Sequence, residues 1–167
     1  IYVAGIYIGD KTKEEATQEL SQKVTLPDKI VLNLNGNRSE ILVSEVINKI
    51  EFSKTVDRAY NYPQKFKLIF DPVNLPLYVD IDEDRLLESL LIISEKAGTK
   101  PVFPSAKLVN GQVVVDKGTD GIEIDIEKLR TKIGQDISNL NSAEIQVDLK
   151  EIKTTLDVKG VENFKAE

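Results

Sequence analysis

Two Asn-Gly dipeptides, Asn35-Gly36 and Asn110-Gly111, each stand between short runs in which apolar and polar residues alternate. A two-residue hairpin loop needs positive φ at both central residues, which Asn and Gly tolerate, and its twist matches that of antiparallel strands. The pattern predicts that the chain folds back on itself twice, pairing 30–34 with 39–42 and 107–109 with 112–116. Strand geometry is thereby set at two separated points.

Helical periodicity fills the intervals. A helix is predicted over 13–24, opened by the capping-box sequence Thr12-Lys13-Glu14-Glu15. Two short helices follow over 43–50 and 54–62, ended by Pro63, which restricts the residue before it. Asp82 caps a helix reaching Ala97, on which Leu86, Leu87, Leu90, Leu91, Ile92 and Ile93 form an apolar arc too wide for one dry face. A last helix carries Ile126, Leu129, Ile133, Ile137 and Leu140 at spacings of three and four, a single packing stripe. Further strands are predicted over 2–8, 66–70, 77–81, 121–125 and 145–149, whereas 156–164 is weakly patterned. The fold class is α+β: mixed or antiparallel strands in strand-helix-strand units packed around the central apolar helix 82–97. Gly5-Ile6-Tyr7-Ile8-Gly9-Asp10 and Gly121-Ile122-Glu123-Ile124-Asp125, each followed by a helix and a strand, echo one another. They read either as a duplication or as the common grammar of strand, cap and helix.

What the chain lacks limits its chemistry. Its 167 residues include no Cys and no His, so it has no thiolate nucleophile, imidazole base, thiolate zinc site or histidine metal triad. A net charge of -6 with interspersed lysines argues against a nucleic-acid partner, since phosphate binding needs clustered cations. The longest apolar run, near 86–93, is far shorter than the ~20 residues of a membrane helix. The sequence begins at Ile1 and contains no Met, as expected of a segment of a longer product whose leader or anchor lies upstream.

Four features invite functional readings. Asp80-Ile81-Asp82-Glu83-Asp84 opens like a calcium loop, but Arg85 and Leu91 stand where such a loop needs its Gly and its bidentate Glu, so a strand end and helix cap is the expected role. Asp71, Asp80, Asp116 and Asp120 lie near strand ends, where a carboxylate pair could serve glycoside chemistry or each could hold a turn. No Ser is followed three residues later by Lys, and 5–9 lacks the Lys-Ser/Thr of a phosphate loop. Tyr60 and Tyr62, with Asn61 and Lys65, form a candidate aromatic platform for a sugar or peptide, or one ring packs under a helix while the other edges the surface.

The order of these features resembles the peptidoglycan-binding accessory domain of vancomycin-resistance W-type (VanW-like) proteins, found also beside L,D-transpeptidase domains. The matching residues are Val3-Ala4-Gly5-Ile6-Tyr7-Ile8-Gly9, Thr12-Lys13-Glu14-Glu15-Ala16 with Leu20, Val56-Asp57-Arg58-Ala59-Tyr60, Val79-Asp80-Ile81-Asp82, Pro104-Ser105-Ala106-Lys107, and Gly121-Ile122-Glu123-Ile124-Asp125 with Leu129. The chain departs at Asp10, where the family commonly has a second Gly, and at Asn61-Tyr62-Pro63, where a Gly-Arg step is usual.

The resemblance implies a compact module of the bacterial cell envelope over 1–150, divisible into 1–42 and 43–150, with 151–167 leading toward a next domain. It implies a non-catalytic, extracytoplasmic role: binding or positioning against peptidoglycan, or alternatively a structural spacer or interaction module for an adjacent domain. Tyr60 and Tyr62 are the candidate ligand-binding residues. No catalytic residue, metal or cofactor is expected, and any membrane association would run through an anchor outside this segment.

Overall fold

A computed structural model describes residues 1–63 and 72–154. The strand expected over 66–70, the segment 156–164, and the candidates Lys65 and Asp71 lie outside the described residues. The chain divides into two compact units, Ile1–Leu91 with Ile126–Val147 and Ile92–Asp125 with the chain from Asp148.

The first unit opens with a hairpin of two-residue strands, β1 (Tyr2–Val3) and β2 (Ile6–Tyr7), where a single strand was expected. Ala4 and Gly5 adopt φ of 45° and 82°, the left-handed pair that a two-residue turn requires. The first helix, α1 (Lys13–Lys23), starts at the expected capping box: Glu15 N–H donates to Thr12 Oγ1 at 3.2 Å, and Thr12 N–H donates to the Glu15 carboxylate at 2.8 Å. Next come β3 (Lys29–Leu34) and β4 (Asn37–Leu42), joined through Asn35 and Gly36 at φ of 53° and 95°. Alternation buries Ile30, Leu32 and Leu34 along β3.

A single helical turn, α2 (Val43–Val46), then gives way to a strand, β5 (Ile47–Ile50), and α3 runs over Phe52–Tyr60. A helix had been expected across 43–50. What wins is pairing with a distant partner, since β5 lies antiparallel to β7 (Val79–Ile81). Between them, β6 (Asn74–Leu75) runs parallel to β1. Helix α1 packs on α3, and Ala16 and Leu20 join Val56, Ala59, Val3, Ile8 and Leu77 in one apolar cluster.

The helix expected after Asp82 is α4 (Glu83–Ala97), whose Asp82 Oδ1 accepts the Arg85 N–H at 3.1 Å, so the acidic run is a helix cap. Of its apolar arc, Leu86, Leu90 and Ile93 are buried, whereas Leu91 and Ile92 are each 48% exposed. The buried set is thus one stripe of the wide arc. In α5 (Ile126–Ser138) the middle of the predicted stripe is used, with Leu129, Ile133 and Ile137 buried, while Ile126 is half-buried and Leu140 lies past the helix end at φ of 57°. Strand β11 (Ile145–Gln146) then lies parallel to β3, so the strands that follow α1 and α5, the two limbs of the sequence echo, are neighbours.

In the second unit, β8 (Ser105–Val109) and β9 (Gln112–Asp116) form the other Asn-Gly hairpin, with Asn110 and Gly111 at φ of 51° and 78°. Cross-strand partners share a face, so Ala106, Leu108, Val113 and Val115 make one apolar side of this ribbon. Strand β10 (Gly121–Ile124) pairs antiparallel with β12 (Leu149–Ile152). The strand expected over 145–149 is therefore split between two sheets. The architecture is α+β, as the sequence indicated.

Candidate functional site

The segment 76–81 and two helices of the first unit enclose an open cleft of about 380 Å³. Its walls are Arg58 from α3, Pro76 to Val79 and Ile81, and Thr131, Gly134, Gln135, Ser138 and Asn139 from the C-terminal half of α5 and the residue after it. Among the described residues one Arg and no carboxylate line it, in a chain whose net charge is -6.

Backbone contacts fix the aromatic wall before any ligand arrives. Thr55 is fully buried in α3, and its hydroxyl donates to the Glu51 carbonyl at 2.9 Å while accepting the Tyr78 N–H at 2.8 Å. The Tyr78 carbonyl in turn accepts the Glu51 N–H at 2.8 Å. One residue earlier, Leu77 N–H donates to the Ser138 carbonyl at 2.7 Å, tying the segment to the end of α5. Tyr78 itself remains 46% exposed, with the Lys54 ammonium 5.4 Å from its ring centroid, within cation–π range. Lys49 and Lys54 both bind Glu51 and hold its carboxyl below the usual range.

Gly134 lines the cleft and puts no side chain into it. A Gly inside a helix costs about 1 kcal/mol relative to Ala. A Cβ there would meet only the Ile81 Cδ1, at 3.4 Å, an ordinary contact. Close packing does not require Gly134. The space it leaves belongs to the cleft.

Polar groups at the cleft are partly uncommitted. Gln135 and Ser138 make no side-chain hydrogen bond among the described residues, and the Arg58 guanidinium has one described partner, the Pro76 carbonyl. By contrast, in the cleft of about 490 Å³ flanked by Lys13, Ser53 and Asp57 the one cation is already paired, with Lys13 Nζ 2.6 Å from Asp57 Oδ1.

The candidates named from sequence fall elsewhere. Tyr60 is half-buried against the α1–α3 cluster, and its hydroxyl faces the carbonyls of Lys11 at 2.6 Å and Ile8 at 3.0 Å. Burial, then the nearby Glu15 and Asp10, raises its pKa. Tyr62 is half-buried just beyond α3, where its N–H donates to the Ala59 carbonyl at 3.3 Å, and neither ring lines the Tyr78 cleft. Asp80 lies half-buried in β7 opposite Lys49. Asp116 accepts the Gly118 N–H at 3.0 Å, and Asp120 accepts the N–H and hydroxyl of Thr154 at 2.8 and 3.2 Å, so both hold backbone. Among the described residues no group of three His, Cys, Asp or Glu could hold a metal ion. Arg58, Tyr78, Gly134 and Gln135 escaped the sequence reading as site residues. The signal present was Gly134, an unexplained glycine inside a helical stripe.

Residues 39–146, well over half the chain, match the family described as "Putative peptidoglycan binding domain". The chain belongs to this family. The match runs from β4 to β11 and contains every residue of the Tyr78 cleft, while the resembling segments between Val3 and Leu20 lie outside it. No curated protein and no solved structure matches. As a member of this family the chain is a peptidoglycan-binding module of the cell envelope, and it contains neither Cys nor His. No helix among the described residues is long and apolar enough to cross a membrane.

Proposed function

We propose that this domain holds its parent protein against the cell wall by seating peptidoglycan in the Tyr78 cleft. The observation that carries this is the combination of a fixed, exposed tyrosine with a helix face kept open at Gly134, all within the family-matched residues. Aromatic area with a polar handle suits amphipathic sugars and peptides, and a pre-formed wall avoids part of the ordering cost of binding. The setting is extracytoplasmic, with any membrane anchor supplied by sequence outside this segment.

Retention of the 167-residue chain on purified, insoluble peptidoglycan tests the reading. Gln135 is exposed and its side chain makes no hydrogen bond among the described residues, so Gln135→Ala is expected to keep the fold and to weaken retention, as is Tyr78→Ala. Full retention by both variants would move the site, to Tyr60 and Tyr62 if their Ala variants lose it instead.

A second reading, a spacer or interaction module for an adjacent envelope domain, has its own observation. The apolar side of the β8–β9 ribbon is open, with Leu108 74% and Val113 47% exposed. No retention of the wild-type chain above an inert acidic protein would favour it.

A further inference from the structure

We propose that the cleft receives a free carboxylate on the peptide arm of peptidoglycan, bound by the guanidinium of Arg58. The proposal rests on the reading that the cleft is the wall site, and it names the part of the polymer that enters. Carboxylates outnumber cations in this chain, 28 Asp and Glu against 22 Lys and Arg, yet among the described residues the cleft is lined by a cation and by no carboxylate. The acidic neighbours on its α3 side are neutralised in place, Glu51 by Lys49 and Lys54, and Asp57 by Lys13. Among the described lining residues the Arg58 guanidinium is therefore the one charged group.

Arg58 is suited to the task. Its described hydrogen bond to the Pro76 carbonyl holds the guanidinium at the cleft wall and uses one of five donors. The remaining donors can meet a carboxylate in the two-point geometry that makes such pairs strong and directional. Gln135 and Ser138 supply uncommitted polar groups across the cleft, and Tyr78 supplies apolar area for the remainder of the peptide. In intact peptidoglycan the free carboxylates sit on the peptide arms, because the lactyl groups of the glycan are taken up in amide bonds. A neutral glycan strand would leave Arg58 without a counter-charge.

The test uses one wall preparation in two forms, intact and with its carboxylates chemically amidated. General electrostatics predicts that amidation raises retention, because a protein of net charge -6 is repelled by an anionic polymer. A carboxylate receptor predicts the opposite, a drop of about tenfold to a hundredfold, the size of a charge-assisted hydrogen bond. Arg58→Gln is expected to lose the same factor on intact wall and, with only the general repulsion left, to bind the amidated form at least as well as the intact one. Equal or better retention of the wild-type chain on amidated wall overturns the proposal, and this arm needs no variant to fold. If that result came with Tyr78→Ala and Gln135→Ala still impaired, the cleft would remain the wall site and its occupant would be the glycan. Loss of wild-type retention on both forms would remove the cleft reading as well.

Discussion

Thr55 shows how one buried hydroxyl connects the core to the site. It takes one hydrogen bond from the Tyr78 N–H and gives one to the Glu51 carbonyl, and no solvent reaches it. Thr55→Val keeps the shape but leaves the Tyr78 N–H without its acceptor, which costs about 1–3 kcal/mol. Urea unfolding of the variant checks the loss, and wall retention is expected to fall with it because the Tyr78 ring is no longer held. Tyr60 makes the opposite case. Its hydroxyl serves the loop between β2 and α1 through Lys11 and Ile8, so Tyr60→Phe is expected to cost ~0.5–1.5 kcal/mol while retention stays at the wild-type level. A fall in retention without a fall in stability would return Tyr60 to the binding surface.

Elements whose signals are local were legible in the sequence, and those that depend on distant partners were not. Both Asn-Gly hairpins, the Thr12 box and the α5 stripe each sit within a few residues of their own causes. Strand β5 is fixed by β7, about thirty residues further on, so 47–50 read as helix. The cleft is assembled from three separate stretches, and only Gly134 hinted at it. Exposure ranks the elements for stability. Leu90, 1% exposed on α4, is expected to cost ~2–5 kcal/mol on change to Ala through lost burial and a cavity. Leu108, 74% exposed on β8, is expected to cost below ~0.5 kcal/mol, and paired urea titrations measure both. At the start of α1, the Thr12 backbone N–H and then its hydroxyl hold Glu15 below the ordinary carboxyl value of 4.5. A depressed folded pKa gives stability that is present above the unfolded value and lost as pH falls through the folded one. Glu15→Gln keeps the cap geometry without the titration. It is expected to lower stability near neutrality, where the ionised cap contributes, to change little at a pH below the folded value, and so to flatten the acid limb of the stability curve below pH 4.5.

At the scale of the whole molecule, charge opposes what the site is proposed to do, and ionic strength separates the two. The net charge of -6 acts over tens of ångströms in dilute buffer, where the Debye length is about 30 Å at 0.01 M, but over only about 8 Å at 0.15 M. Raising salt across that range screens the repulsion between chain and wall. Contacts inside the cleft, including any pair made by Arg58, are shorter than either screening length and weaken less. Retention on intact peptidoglycan is therefore expected to hold level or rise between 0.01 and 0.15 M salt. A basic surface binder behaves in the opposite way, losing affinity steeply as counterions return. Sedimentation with purified wall at a series of salt concentrations measures the slope, and the supernatants, read for released wall fragments, are expected to contain none above the wall-only control. A steep fall with salt would place the binding energy in diffuse charge rather than in the cleft, whereas fragments accumulating with time would mean that carboxylates in this chain act on the polymer.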